Sequence, residues 1–194
     1  MRLRIEPFFY ALAASAAALL LAQLLGHDPL QRALYMARFT ARAGVPLVLA
    51  IYTASSLHRL WPGPWTAWLS RERRSLGLAF ALTHTVHLAA ILNYIAQPGS
   101  PPQPATGIVG YAFIYLMAFS SNPGSMKQLG RWWHRLHAAG VQIVFLYYLA
   151  GYASMMFEPE LRPLGLTVVS LLLAALAVRV AARRARRAAG GTVQ

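Results

Sequence analysis

Six times along its 194 residues the chain turns apolar for about the length of a bilayer-crossing helix, and proline, glycine or arginine ends each run. A hydrocarbon core about 30 Å thick needs roughly 20 consecutive apolar residues per helix. Inside lipid, the helix satisfies every backbone polar group within its own segment. The runs cover about 7–25, 44–60, 75–96, 106–121, 131–157 and 164–182, separated by breakers such as Trp61-Pro62-Gly63-Pro64, Gln97-Pro98-Gly99 and Asn122-Pro123-Gly124. Pro46 falls near the start of a run, where a missing amide is tolerated. The expected fold is all-α: one polytopic domain over 1–194, a bundle of six transmembrane helices. A hydrophobic content of 57% fits, and the short loops leave no room for a soluble domain. The opening Met1-Arg2-Leu3-Arg4 resembles the start of a signal peptide. No convincing cleavage site follows, so the first run is expected to be a retained helix.

The formal charge of +13 comes from arginines gathered at the ends of these runs, so it reads as membrane topology and not as a nucleic-acid surface. With both termini in the cytoplasm, 14 of the 18 Lys and Arg residues lie on that side, leaving Arg32, Arg38, Arg42 and Arg162 opposite. That bias favours N-in/C-in. Residues 183–194 form a basic cytoplasmic tail, with membrane lipids as its expected neighbours. The five carboxylates, Glu6, Asp28, Glu72, Glu158 and Glu160, all fall outside the runs. A carboxylate proton relay and an oxygen-lined Ca²⁺ or Mg²⁺ cage therefore lack ligands. The absence of cysteine excludes disulfides, thiolate metal sites and iron–sulfur clusters. No internal repeat points to a transporter with inverted halves.

Four of the six histidines sit inside the apolar runs as two pairs, His84 and His87, and His134 and His137. Imidazole at membrane depth is costly unless it is bound, so such residues mark a functional site. His84 and His87 are one turn apart and share a face. Counted from the arginines, His87 lies on the order of 20 Å into its run and His137 on the order of 9 Å into its own. His134, within Arg131-Trp132-Trp133-His134-Arg135, belongs to an interfacial belt, and His27 and His58 fall at loop ends. Imidazoles from two facing helices can supply axial nitrogens to a haem iron. His84, His87 and His137 are the candidate iron ligands; the depths favour a His84–His137 pair, and helix tilt leaves His87–His137 equally open. Arg73, Arg74 and Arg131 lie where propionates would need partners. Tyr94, Tyr111, Tyr115, Tyr147 and Tyr148 add aromatic lining, and Gly77, Gly107, Gly110 and Gly140 permit close approach.

Four stretches carry a resemblance. They are Asp28-Pro29 with Phe39-Thr40-Ala41-Arg42; Arg73-Arg74-Ser75-Leu76-Gly77-Leu78 running to His87-Leu88; Leu116-Met117-Ala118-Phe119-Ser120-Ser121; and Leu129-Gly130-Arg131-Trp132-Trp133-His134-Arg135-Leu136-His137. Spread over roughly 28–150, they resemble the ferric-reductase-like transmembrane superfamily, and within it the haem-binding membrane subunits of bacterial methionine-sulfoxide reductase systems. The resemblance implies a multi-pass protein of the bacterial inner membrane that holds one b-type haem, or two. It would take electrons from the quinone pool or a flavin reductase and pass them to a periplasmic or membrane oxidoreductase partner. His87 and His137 match two histidines of that haem site. A further family histidine, thirteen residues after His137, is replaced by Ala150, so one haem is held or His84 supplies another axial bond. FMN or a quinone as cofactor has no motif behind it. Two other functions fit the same residues: a haem-free assembly or partner-binding subunit, for which Ala150 argues, and a small carrier that titrates its histidines.

Overall fold

The computed structural model describes residues 3–102 and 107–190, and among these it contains helices and no strands. The helices are α1 Glu6–Leu25, α2 Pro29–Ala43, α3 Val45–Leu60, α4 Pro64–Arg71, α5 Arg73–Ile95, α6 Gly107–Phe119, α7 Pro123–Leu129, α8 Arg131–Met155 and α9 Arg162–Gly190. Local chemistry sets many of the boundaries. Asp28 caps α2 by accepting from the Gln31 amide at 2.8 Å, and Asn122 caps α7 by accepting from Ser125 at 2.9 Å, each followed by a proline in the first turn. Gly130, at φ 49°, takes up the left-handed turn between α7 and α8.

Five stretches are long and apolar enough to cross a membrane: Glu6–Leu25, Pro29–Leu60, Arg73–Ile95, Arg131–Met155 and Arg162–Ala188. The expected sixth is the 13-residue apolar helix Gly107–Phe119, about 20 Å long. Its expected first residue, position 106, lies outside the described residues. The expected spans leave 26–43 without an element, and the structure fills this gap with α2. That helix runs into α3 with only Gly44 between them, so the second apolar stretch begins at Pro29. The basic segment from 183 to 190 continues α9 as helix; positions 191–194 lie outside the described residues.

Small residues explain how α1, α2 and α5 pack. Ala11, Ser15, Ala18 and Ala22 form a buried row on α1, and Ala33, Ala37 and Thr40 form one on α2. Without large side chains between them, the backbones approach closely and dispersion replaces the hydrophobic effect as the source of adhesion. Two apolar clusters complete the interior. One joins α3, α5, α6 and α8 through Leu47, Leu76, Phe80, Ile114 and Val144. The other joins α3, α8 and α9 through Val45, Tyr52, Phe145, Tyr152 and Leu172. The outer surface carries large apolar side chains such as Phe9, Leu24, Phe119 and Leu146, as a lipid-facing exterior requires.

Candidate functional site

Helices α5 and α8, which carry the paired histidines, run side by side in the same direction. Among the described residues no Cα of one comes within 8 Å of a Cα of the other. Helices in direct contact usually sit 8–10 Å apart axis to axis, with many closer Cα pairs. Side chains from the two helices, and in part a void, fill the space between them.

The void is a cavity of ≈520 Å³ at the arginine-rich ends of both helices. That volume lies within the range of cofactor pockets. Its walls are largely apolar, from Val48, Phe80, Ile114, Met117, Val141 and Val144. Arg73, Arg74 and Arg179 stand on its polar side, with His137 and the exposed His134 on its α8 wall. Gly77 forms part of the α5 wall, and a Cβ built on it would meet no atom within 4 Å. This glycine keeps open a space that any side chain would enter.

The half-buried His137 is anchored through one ring nitrogen and has a longer contact at the other. Its Nδ1 donates to the Trp133 carbonyl at 3.0 Å, since a carbonyl can only accept. The Trp133 ring stacks on the imidazole with centroids 3.9 Å apart. This fixes Nε2 as the nitrogen with the lone pair. Its neighbour is Ser121 Oγ at 3.3 Å, a hydroxyl whose hydrogen has a shorter contact, 2.6 Å, with the Met117 carbonyl. Anchoring one ring nitrogen and presenting the other is how proteins orient a metal-binding imidazole.

The buried His84 is held from both sides. Nδ1 donates to the Phe80 carbonyl at 3.0 Å, and Nε2 then accepts from Tyr148 Oη at 3.1 Å. Phe80 lies over the ring, centroids 3.9 Å apart, and stands between it and the cavity. Gly44 presses from a third direction: a Cβ there would come 2.7 Å from His84 Cε1 and closer still to Tyr148 Oη. His87 follows the His137 pattern. Thr40 Oγ1 donates to the Met36 carbonyl at 2.6 Å and so accepts from His87 Nδ1 at 3.1 Å, leaving Nε2 as the lone-pair nitrogen. Tyr111, whose ring centroid is 6.4 Å from that of His87, has a buried hydroxyl with no hydrogen-bond partner among the described residues.

The structure therefore brings His84 and His87 together, centroids 5.9 Å apart, and does not bring either to His137. Tyr148, the residue of α8 that meets His84, lies eleven positions beyond His137, about 16 Å of helix rise. Of the expected propionate partners, Arg74 lines the cavity and donates from Nε to the Ser121 carbonyl at 2.8 Å. Arg131 does not line it; its guanidinium lies 5.8 Å from the Trp132 ring centroid at the exposed start of α8. Ala150 is exposed. Two site residues escaped the sequence: Thr40, because α2 was not evident, and Arg179, which reaches the cavity from the last helix. The Ala33, Ala37, Thr40 spacing after an Asp-Pro start is the signal that marks α2.

Among the described residues no group of three or more His, Asp or Glu side chains stands ready for a bare metal ion. Imidazoles offered singly suit a metal whose other ligands come with it, as in a porphyrin. The chain is 31% identical over 144 residues to the protein-methionine-sulfoxide reductase heme-binding subunit MsrQ of Cronobacter sakazakii (strain ATCC BAA-894), an alignment covering 68% of this chain and 70% of the relative. The chain belongs to the MsrQ family. No protein-family model and no solved structure matches it. Its long apolar helices and this membership fit a multi-pass membrane protein, related to a subunit that in the relative is named for binding haem.

Proposed function

We propose that this chain binds b-type haem in the space between α5 and α8 and relays electrons across the bacterial inner membrane to a partner oxidoreductase. The observation that carries this is the separation of the two histidine-bearing helices around a cofactor-sized cavity, with His137 on one wall and arginines at the mouth. His137 would bind the iron, Arg73 and Arg74 the propionates, and Gly77 would admit the edge of the macrocycle. His87, anchored through Nδ1 in the same manner, is the candidate ligand for a second haem deeper in the bundle. His84 belongs to the site as the group that fixes Phe80 and Tyr148 between the two positions. Haem supplies one-electron chemistry, while the protein supplies ligands, an apolar surround and counter-charges.

The arginine bias supports an orientation with both termini in the cytoplasm. Electrons would enter from the quinone pool or a flavin reductase at the arginine-rich face and leave toward a periplasmic or membrane reductase. Purification after haem-replete expression, followed by dithionite-reduced minus oxidised spectra, tests the proposal. Sharp α and Soret bands are expected, and a colourless protein would overturn it.

A further inference from the structure

A second cavity, of ≈250 Å³, opens beside the first at the same end of the bundle. Five arginines line it: Arg59 of α3, Arg73 of α5, and Arg179, Arg183 and Arg186 of α9. Ser55 and Ser56 add hydroxyls, and Arg73 Nη1 donates to Ser55 Oγ at 2.9 Å. Arg73 and Arg179 also line the first cavity, so they form the wall between the two; Arg59, Arg183 and Arg186 belong to the second alone.

No carboxylate balances this charge. Among the described residues the ion pairs are Arg4 with Glu6 and Arg4 with Glu72, and Glu72 also accepts from Ser75. Five guanidinium groups converging on one concavity repel one another unless an anion sits among them, and their planar forks suit phosphate oxygens. The surroundings narrow the class of anion. Inward-facing Leu172, Ala175 and Ala182 continue along α9 to Arg179 and Arg186, while beside them Leu173, Leu176 and Val180 are exposed at 49%, 37% and 38%. The cavity thus lies where a lipid-facing apolar band meets the basic end of the helix. A ligand with a phosphate head and acyl chains fits both surfaces at once.

We infer that the cavity between α3, α5 and α9 binds the phosphate of an anionic phospholipid, a site distinct from the haem space that shares one wall with it.

Native mass spectrometry of the detergent-solubilised protein, titrated with phosphatidylglycerol or with phosphatidylcholine of the same acyl chains, tests this without reference to haem. Phosphatidylglycerol is expected to bind more tightly than phosphatidylcholine by about tenfold or more. The variant Arg183→Gln/Arg186→Gln should lose most of that preference. The variant Arg184→Gln/Arg187→Gln, with the same charge change on the same helix outside the cavity, should keep it. Circular dichroism confirms that both remain helical. Equal losses in the two variants would show unspecific attraction to a basic helix and overturn the site. Binding of glycerol phosphate as tight as that of the lipid would overturn the lipid assignment.

Discussion

The two ends of the α5–α8 space use the same residue type in opposite ways. Near the arginines, His137 Nδ1 is anchored on the Trp133 carbonyl while Nε2 meets only a serine hydroxyl whose hydrogen is committed to Met117, beside a void that Gly77 keeps open. Further in, His84 has both nitrogens bonded and a phenylalanine tilted over it, with Gly44 allowing the backbone to press close. A buried imidazole needs partners. Where the protein supplies both, the residue is structural; where it supplies one, the second is left for a ligand. The environment of the nitrogen, rather than depth in the membrane, separates the two.

The strongest test of this contrast exchanges histidines for alanine and counts haem. His137→Ala is expected to remove the haem of the open cavity, which two haems per chain would register as a loss of about half the reduced-minus-oxidised signal. His87→Ala should remove the deeper one. His84→Ala should keep the haem content and lose stability, on the order of 1–3 kcal/mol for losing the Tyr148–His84 hydrogen bond and opening space beneath Phe80. Pyridine haemochrome stoichiometry with thermal melts in detergent separates the three. If His84→Ala bleaches the protein while His137→Ala does not, the contrast is inverted.

A change on the opposite wall sharpens the same point. Gly77→Leu places a side chain in the void without touching a histidine. Haem content should fall sharply. The haem-free protein should melt no lower than the parent, because glycine costs a helix up to about 1 kcal/mol relative to better helix formers. Retention of full haem content would show that the macrocycle does not use this space.

Much of this was legible in the residues. Hydrophobic runs and their Pro and Gly breaks marked the helices that became α1, α3, α5, α6, α8 and α9, since in lipid a long apolar run has few alternatives to a helix. The histidines stood out for the same reason. The amphipathic α2 did not: its arginines and modest hydropathy resemble a connector, and its helicity rests on a cap and a small-residue row that matter only against α1 and α5. Missing α2 hid Thr40 and with it the orientation of His87. The matching of histidines across the bundle was equally hidden. Depth counted from arginines assumes that α5 and α8 start level, whereas the His84–Tyr148 contact sets α8 several residues out of step with α5.

The closed end has its own pair of tests, with smaller expected effects. Gly44→Ala forces a methyl against Tyr148 and His84 at the junction of α2 and α3. Overpacking of this kind costs about 1–3 kcal/mol, read as a lower melting temperature with the haem of the open cavity retained.

Tyr148→Phe is the mildest change and the most discriminating. It deletes the hydroxyl that closes His84 Nε2 and leaves the ring that packs between Phe80 and Tyr152. A neutral hydrogen bond contributes about 1 kcal/mol, so the melting temperature should drop slightly. The spectrum carries the information. With Nε2 freed but Phe80 still over the ring, the bands of the haem proposed at His137 should stay where they are, because His137 stands about 16 Å along α8 from this contact. A shift of the bands would mean that His84 reaches an iron once its tyrosine is gone. The hydroxyl would then be what keeps the deeper imidazole out of the coordination sphere, and the boundary between the two ends would rest on one bond.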